Sequence, residues 1–188
     1  MARNLQKHIL QIASGLFYSQ GIRATGVDAI VKAAGTTKMS LYKYFPSKHD
    51  LVLAYLHKNR EAFGVRISAG IYAHADSPKQ KMLAIFDVFD EPQSSPKFRG
   101  CPFINASAEF AENAHPIRQA TAEFSESFVQ LLADLAREAG ANDAEQLANQ
   151  LAMLIAGAIA KEQMQQQSGA MRSARAAAEI LIAHSLTG

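Results

Sequence analysis

The chain has 188 residues, of which 48% are hydrophobic, so it can bury a sizeable core and lacks the composition of a disordered protein. A single cysteine excludes an intramolecular disulfide. We find neither a secretory leader nor an apolar run long enough to cross a membrane, and we therefore expect a cytoplasmic protein.

The charge is unevenly distributed along the chain. Residues 1–60 carry nine Lys or Arg against two Asp, a net charge of +7, although the whole chain carries only +2. The remaining residues carry ten Lys or Arg against fifteen Asp or Glu, a net charge of −5. A basic segment attached to an acidic body is typical of a protein that binds a polyanion. Chance clustering of charge on solvated helix faces is the alternative at this point.

The first predicted element is an amphipathic helix. Apolar residues recur at the three-and-four spacing of a helix with one buried face, at Leu5, Ile9, Ile12, Ala13, Leu16 and Phe17. We expect this helix to end at Gly21, because glycine adopts the left-handed cap conformation at the least cost.

Two short helices follow. Thr25–Asp28 has the form of a capping box and predicts the start of a second helix, which Gly35 ends. Thr36 and Thr37 offer a hydroxyl N-cap for a third helix over Lys38–Phe45.

The rest of the chain is also predicted to be helical. Pro46 ends the third helix, and Ser47–Asp50 forms a second capping box that opens a longer fourth helix. A loop rich in proline and serine occupies residues 92–100. Further helices are predicted over residues 79–91, 103–113, 116–139, 143–167 and 171–185. No run alternates with a period of two, so the predicted fold class is all-α.

Two short helices joined by a turn at Gly35 fit a helix-turn-helix, whose second helix enters the major groove of DNA. Periodicity places Leu41 and Phe45 on the buried side of that helix. Its outward side then carries Lys38, Met39, Tyr42 and Lys43. Lysine and tyrosine side chains can contact phosphate oxygens, and residues at the start of the helix can reach base edges.

Over residues 5–56 the chain resembles the tetracycline-repressor (TetR) family of bacterial regulators. The motifs that carry the resemblance are Gly21–Ile30, Ala34–Lys38 and Leu41–Lys48, with Phe17 and Leu51 in register. Three positions depart from the family pattern. Thr36 replaces a branched aliphatic residue, Tyr44 replaces a common histidine, and Gly26 replaces a hydroxyl residue, which weakens the phosphate contact expected at position 26.

The resemblance implies roles for individual residues. Thr25 and Lys48 are expected to hold phosphates at opposite ends of the motif, and Tyr44 to contact the DNA backbone. Thr37, Lys38 and Tyr42 are expected in or along the groove. With the outward-facing residues of the third helix, the predicted DNA-binding set is Thr25, Thr37, Lys38, Met39, Tyr42, Lys43, Tyr44 and Lys48.

The resemblance also implies two domains, a DNA-binding domain over residues 1–47 and a ligand-binding and dimerising domain over residues 48–188. The last two predicted helices are rich in small residues, which let helices approach closely across a two-fold axis. The predicted dimer interface includes Ala156, Ala160, Ala174, Ala178 and Leu181. A tightly packed core within one chain is the alternative interpretation of the same residues.

The candidate ligand pocket consists of apolar residues with one amide, namely Phe86, Phe103, Asn105, Phe110, Phe124, Phe128 and Met153. Plain core packing is the alternative for such a set. Cys101 is interpreted either as a redox switch, if its thiolate is stabilised, or as a buried inert residue.

These observations predict a homodimeric transcription regulator that a small molecule releases from a palindromic operator, with repression as the usual outcome in the family. No cofactor, metal site or catalytic activity is expected. Gly21 and Gly26 have the spacing of a phosphate loop, but Val27 and Asp28 stand where such a loop needs lysine and a hydroxyl residue. Two alternatives stay open, an architectural DNA-binding protein without a ligand and a helical carrier or enzyme with an incidental basic head.

Overall fold

The computed structural model describes residues 2–74, 76–93 and 95–186. These residues form nine α-helices and no β-strand, which confirms the all-α prediction. The helices are α1 (Ala2–Gln20), α2 (Val27–Ala33), α3 (Lys38–Tyr44), α4 (Lys48–His74), α5 (Pro78–Gln93), α6 (Pro102–Glu109), α7 (Pro116–Glu138), α8 (Ala144–Met164) and α9 (Ala170–Leu186). In the described part of the chain, no helix is both long enough and apolar enough to cross a bilayer.

Contacts divide the chain into two compact units. Unit 1 comprises Met1–Glu61 and Cys101–Ala122, and unit 2 comprises Ala62–Gly100 and Glu123–Gly188. Two of the three unit boundaries fall inside α4 and α7, so these two helices contribute residues to both units, and the third precedes α6. This grouping by contacts differs from the functional division predicted after residue 47, which stays a prediction.

The core of unit 1 lies where α1 packs against α2 and α3. Ile9, Ile30 and Leu41 are completely buried there, as the periodicity of the sequence predicts. Helix α1 ends before Gly21, which adopts a φ of 91° and whose N–H donates to the carbonyl of Phe17 at 3.0 Å. The predicted glycine cap of the first helix is therefore confirmed.

Two of the three predicted hydroxyl caps are confirmed. The Thr37 hydroxyl accepts from the N–H of Ser40 at 3.1 Å at the start of α3. The Ser47 hydroxyl accepts from the N–H of Asp50 at 3.1 Å and donates to its carboxylate at 2.6 Å.

The capping box predicted at Thr25 is wrong. Helix α2 begins after Gly26, which provides no side-chain cap. Thr25 is completely buried, and its hydroxyl donates to the carbonyl of Gly21 at 2.7 Å. The hydroxyl therefore stabilises the turn after α1 and does not cap the start of α2.

In unit 2, α9 packs along both α8 and α5. The observed ends of the helices lie close to the predicted ones, with one clear exception. Helix α6 ends at Glu109, whereas its prediction extended to Asn113. The chain leaves the helical conformation at Phe110, which is 8% exposed and whose ring packs against the rings of His49 and His115 in unit 1.

Candidate nucleic-acid interface

Helix α3 has one buried side and one exposed side. Leu41 is completely buried and Phe45, its C-cap, is 5% exposed. On the opposite side, Met39 is 81% exposed, Tyr42 is 43% exposed and Lys43 is also exposed. A helix of seven residues that keeps a large thioether and a phenol in water has a surface that its own fold does not use.

The N-terminal end of α3 carries Thr37, its N-cap, and Lys38, its first residue, and both are exposed. The Lys38 ammonium lies 2.7 Å from the carboxylate of Asp28 in α2. The hydrogen bond to this carboxylate, and then its charge, raise the pKa of Lys38, so the side chain stays cationic. Because both partners are solvent-exposed, the ion pair is easily exchanged for a phosphate.

Lys48 is the first residue of α4, and its side chain is partly buried. Its ammonium donates to the carbonyl of Arg23 at 3.5 Å. Burial lowers the pKa of Lys48, and the negative charge of Glu109 partly opposes this effect. Tyr44, at the end of α3, is partly exposed. Lys48 and Tyr44 thus both keep accessible surface, from which an ammonium and a phenol can donate to a phosphate.

The structure does not bring Thr25 to this surface. Its side chain has no exposed area and its hydroxyl is used inside the α1–α2 turn, so the side chain cannot reach a phosphate in this conformation. The other predicted residues, at positions 37, 38, 39, 42, 43, 44 and 48, all have accessible surface.

Glu109 holds the α1–α2 turn, a role that the sequence did not reveal. Its carboxylate accepts from the N–H of Ile22 at 2.8 Å and from the N–H of Arg23 at 2.6 Å. A carboxylate that accepts two backbone N–H groups makes strong, charge-assisted hydrogen bonds. Because 87 residues separate Glu109 from Ile22, no local pattern could have indicated the contact.

The residues predicted as a ligand pocket fall into two groups. Phe103, Asn105 and Phe110 belong to unit 1, whereas the other four belong to unit 2. In unit 2 the structure brings Phe124 and Phe128 together with two phenylalanines that the sequence analysis missed, Phe63 and Phe89. We call these four residues the aromatic cluster. Its ring centroids lie 5.2 to 5.7 Å apart.

The remaining two residues of that set have other environments. Phe86 is completely buried, and Met153 is 65% exposed on α8. All four members of the aromatic cluster are partly exposed, so the cluster is more accessible than a plain core would be.

Family models match most of the chain. Residues 9–55 match the model for bacterial regulatory proteins of the tetR family, and residues 78–178 match the model for the tetracyclin repressor-like C-terminal domain. The chain belongs to the TetR family. It is therefore a helix-turn-helix transcription regulator and not an enzyme.

Two individual regulators are similar to most of this chain. The HTH-type transcriptional regulator YxaF of Bacillus subtilis is 30% identical over 151 residues, which cover 80% of this chain and 78% of YxaF. The TetR-family regulator SCO4454 of Streptomyces coelicolor has a crystal structure that superposes with a TM-score of 0.93 at 27% identity. That superposition covers 98% of this chain and 97% of SCO4454.

The small residues of the last two helices of this TetR-family chain lie on two different sides. Ala174 and Ala178 are buried within the single chain, and Leu181 is partly buried. Ala156 and Ala160 are exposed on α8. The exposed side of these helices, which we call the α8–α9 face, also carries large apolar residues: Met153 at 65%, Met164 at 78% and Ile180 at 71% exposure.

The Cys101 environment favours an inert thiol. Burial raises the pKa of Cys101, and hydrogen bonds with the backbone at Ile104 and Phe103 offset only part of this effect. The thiol is therefore mainly protonated at neutral pH, and a protonated thiol is a poor nucleophile.

Proposed function

We propose that the protein is a homodimeric repressor that binds a palindromic operator in the cytoplasm and is released by a small apolar molecule. The observation that carries the DNA-binding part is the exposed side of α3. The side chains exposed there are those of Met39, Tyr42 and Lys43, while Leu41 on the other side is completely buried in the core.

Chemistry divides the proposed DNA contacts into two kinds. Thr37 is the N-cap of α3 and Lys38 is its first residue, and the N-terminal residues of a recognition helix contact base edges in the major groove. Tyr42, Lys43 and Lys48 are suited to phosphate oxygens, because a phenol and an ammonium are hydrogen-bond donors. Tyr44 is proposed to contact the backbone beside them.

We assign the dimer contact to the α8–α9 face. Exposed methionine and isoleucine side chains on neighbouring helices form an apolar surface that becomes more stable when a second copy covers it. The exposed Ala156 and Ala160 permit close approach of the two copies. A two-fold dimer presents two α3 helices to successive major grooves about 34 Å apart, and this spacing requires a palindromic operator.

We assign the effector to the aromatic cluster of unit 2. Four partly exposed phenylalanine rings provide a surface that stacks against an apolar or aromatic molecule. The effector shifts the dimer toward a conformation with a different spacing of the α3 helices, and DNA affinity falls. Couplings of this kind are typically about 1–3 kcal/mol, so we expect a decrease of about 5- to 150-fold.

The test of DNA recognition is selection of the tightest binders from a library of random duplexes, followed by affinity measurements at several salt concentrations. We expect a palindrome and a steep salt dependence, because several phosphates are neutralised. The double variant Tyr42→Ala, Lys48→Ala should lose at least ~100-fold in affinity for the selected duplex while remaining folded. The control Lys58→Ala removes an exposed lysine of α4 outside the surface and should change affinity little.

Sequence-independent binding by the wild-type protein would contradict the proposal and favour an architectural role. Equal affinity of the double variant and the wild type would show that the site is misplaced. The effector is tested by screening apolar compounds for release of the selected duplex, with Phe128→Ala as the variant expected to lose the response. If no compound releases the duplex, the proposal of an effector site is wrong, while the DNA-binding part stands.

A further inference from the structure

A cleft of about 400 Å³ lies within unit 1, beside the start of α4. Its lining includes Arg23, Lys48, His49, Phe110 and His115. We propose that this cleft binds a small aromatic carboxylate, and that the bound anion weakens operator binding because it occupies Lys48. The second part rests on the proposed function, in which Lys48 holds an operator phosphate.

The aromatic part of the ligand is suggested by three rings that already pack together. The ring of His115 lies 4.6 Å from the ring of Phe110, with a tilt of 32°, and 4.8 Å from the ring of His49, nearly perpendicular to it. The centroid distances are those at which planar rings attract one another. Ile22, which is 3% exposed, adds apolar surface to the same cleft. A flat apolar group thus finds stacking partners there.

The carboxylate is suggested by two cations that form no ion pair with the acidic residues described by the structure. The guanidinium of Arg23 lies 5.5 Å from the ring centroid of Phe110, a cation–π distance, and Arg23 is otherwise exposed. Among the described residues, neither Arg23 nor Lys48 forms an ion pair. An anion placed between them gains two charge-assisted contacts.

Two acidic side chains, Glu109 and Glu112, lie nearby and lower the net positive charge of the cleft. The carboxylate of Glu109 accepts from the N–H groups of Ile22 and Arg23 at 2.8 and 2.6 Å, so it is directed at the backbone of the turn rather than at the side chain of either cation. Glu112 is exposed, so its side chain can turn into solvent when an anion binds. Burial of Lys48 lowers the pKa of its ammonium, and a bound carboxylate relieves this cost.

The volume also fits a compact molecule. Pockets for small ligands measure about 300–1,000 Å³, and this cleft is at the lower end of that range. Inorganic phosphate would use only the two cations and leave the ring surface uncovered. The cleft should therefore distinguish an aromatic carboxylate both from phosphate and from a neutral aromatic molecule of the same size.

The probe for the test is benzoate, with benzyl alcohol and inorganic phosphate as comparison ligands. Each is titrated into the full-length protein while the imidazole signals of the six histidines are followed by NMR. We expect benzoate to shift the signals of His49 and His115 while exposed His57 and His184 serve as internal controls. Arg23→Gln should weaken benzoate at least ~10-fold, and Lys58→Gln, an exposed cation outside the cleft, should not.

The link to DNA is tested with the selected duplex in the presence of benzoate. We expect the wild type to lose operator affinity as benzoate fills the cleft. His115→Ala should bind the duplex normally without benzoate but require at least ~10-fold more benzoate for the same loss. Phe110→Leu, which keeps the site apolar, should show the same weakened response without the risk of unfolding that Phe110→Ala carries.

The outcomes separate this proposal from the proposed function. If benzoate shifts the two histidine signals and no duplex is bound, the cleft is confirmed and the operator proposal fails. If the duplex binds but benzoate leaves His49 and His115 unchanged through the millimolar range, the cleft proposal is overturned. Equal binding of phosphate and benzoate would also overturn it, because the rings would then contribute nothing.

Discussion

The exposed side of α3 and the α8–α9 face differ in their chemistry, although a well-packed core lies beneath each of them. Helix α3 exposes two lysines and a tyrosine, each with a polar end that can donate to phosphate, together with one methionine. The α8–α9 face exposes Met153, Met164 and Ile180 among alanines. The exposed side of α3 is therefore suited to a charged, hydrated partner, and the α8–α9 face is suited to an apolar partner that excludes water.

The contrast shows how burial and residue type must be combined. Burial alone identifies both surfaces as unused by the single chain. Residue type then separates them, because hydrogen-bond donors find acceptors on DNA, whereas apolar side chains are stabilised only when another apolar surface excludes water. Two substitutions test this contrast, and two more test a buried polar contact in each unit, from the largest expected effect to the smallest.

Ile180→Glu should dissociate the proposed dimer. A carboxylate introduced into an apolar contact loses its hydration without gaining a partner. Because the two α3 helices then bind independently, operator affinity should fall by about 100-fold or more. Sedimentation velocity and fluorescence anisotropy measure the two effects. The control is Val65→Glu, which adds the same charge at an equally exposed apolar residue, at 71%, away from the α8–α9 face. An Ile180→Glu protein that still sediments as a dimer would place the dimer contact elsewhere.

Leu41→Ala should destabilise the protein by about 2–5 kcal/mol, because it leaves a cavity under a completely buried side chain. Met39→Ala on the opposite side of the same helix should change stability by no more than ~0.5 kcal/mol, since Met39 is 81% exposed. Denaturant unfolding of both variants gives the comparison. Similar losses would mean that α3 does not have the two-sided character described above.

Thr25→Val should cost about 1–3 kcal/mol in the free energy of unfolding, because the carbonyl of Gly21 loses its donor at 2.7 Å inside the protein. Operator affinity measured on the folded variant should match that of the wild type, since a completely buried hydroxyl makes no contact with a phosphate. A loss of operator affinity of about 10-fold or more by the folded variant would restore Thr25 to the DNA surface.

Glu162→Gln should alter the dependence of stability on pH. Glu162 is 3% exposed, and its carboxylate accepts from the hydroxyl of Ser168 at 2.6 Å and from the N–H groups of Gln167 and Ser168. Burial alone would raise the pKa of Glu162, but these hydrogen bonds outweigh it and lower the pKa below the ordinary value of 4.5. The stabilisation is therefore complete at neutral pH and is lost as the pH falls below 4.5 through the lowered pKa.

The measurement for Glu162 is the denaturant midpoint as a function of pH. The Gln variant should be less stable than the wild type at neutral pH, and the difference should shrink as the solution becomes acidic. Glu126→Gln, an exposed carboxylate of α7, serves as the matched control and should follow the wild type. A constant difference between Glu162→Gln and wild type at all pH values would show that the charge is not what stabilises the turn between α8 and α9.

The sequence predicted the DNA-binding segment in detail because its signals are local. The helical spacing of Leu41 and Phe45 places them on one side of α3, and it places Met39 and Tyr42 on the other. This assignment needs no information about neighbouring helices. The caps at Thr37 and Ser47 involve atoms three residues away and were predicted for the same reason. The capping box predicted at Thr25 was wrong because its hydroxyl can form a hydrogen bond with more than one backbone group. The path of the chain after α1 determines which of them it meets.

Unit 2 was predicted less completely than the DNA-binding segment, because the contacts that form it join residues far apart in the sequence. Phe63 and Phe89 join the cluster of Phe124 and Phe128 only when separate helices pack. The alanines of the last two helices look alike in sequence, yet Ala178 is buried and Ala160 is exposed. Alanine is compatible with either side of a helix, so its position carries little information about which side is covered.

The sequence by itself determined the all-α class, most helix ends, the helix-turn-helix and the basic character of its segment, because periodicity, caps and charge act over a few residues. The tertiary structure alone decided which residues meet across long separations. It placed the carboxylate of Glu109 on the turn at Ile22, ended α6 at Phe110, and assembled Arg23, Lys48 and two histidines around one cleft. Such contacts depend on the packing of whole helices, and packing is set by the shape of all the side chains together rather than by any local pattern.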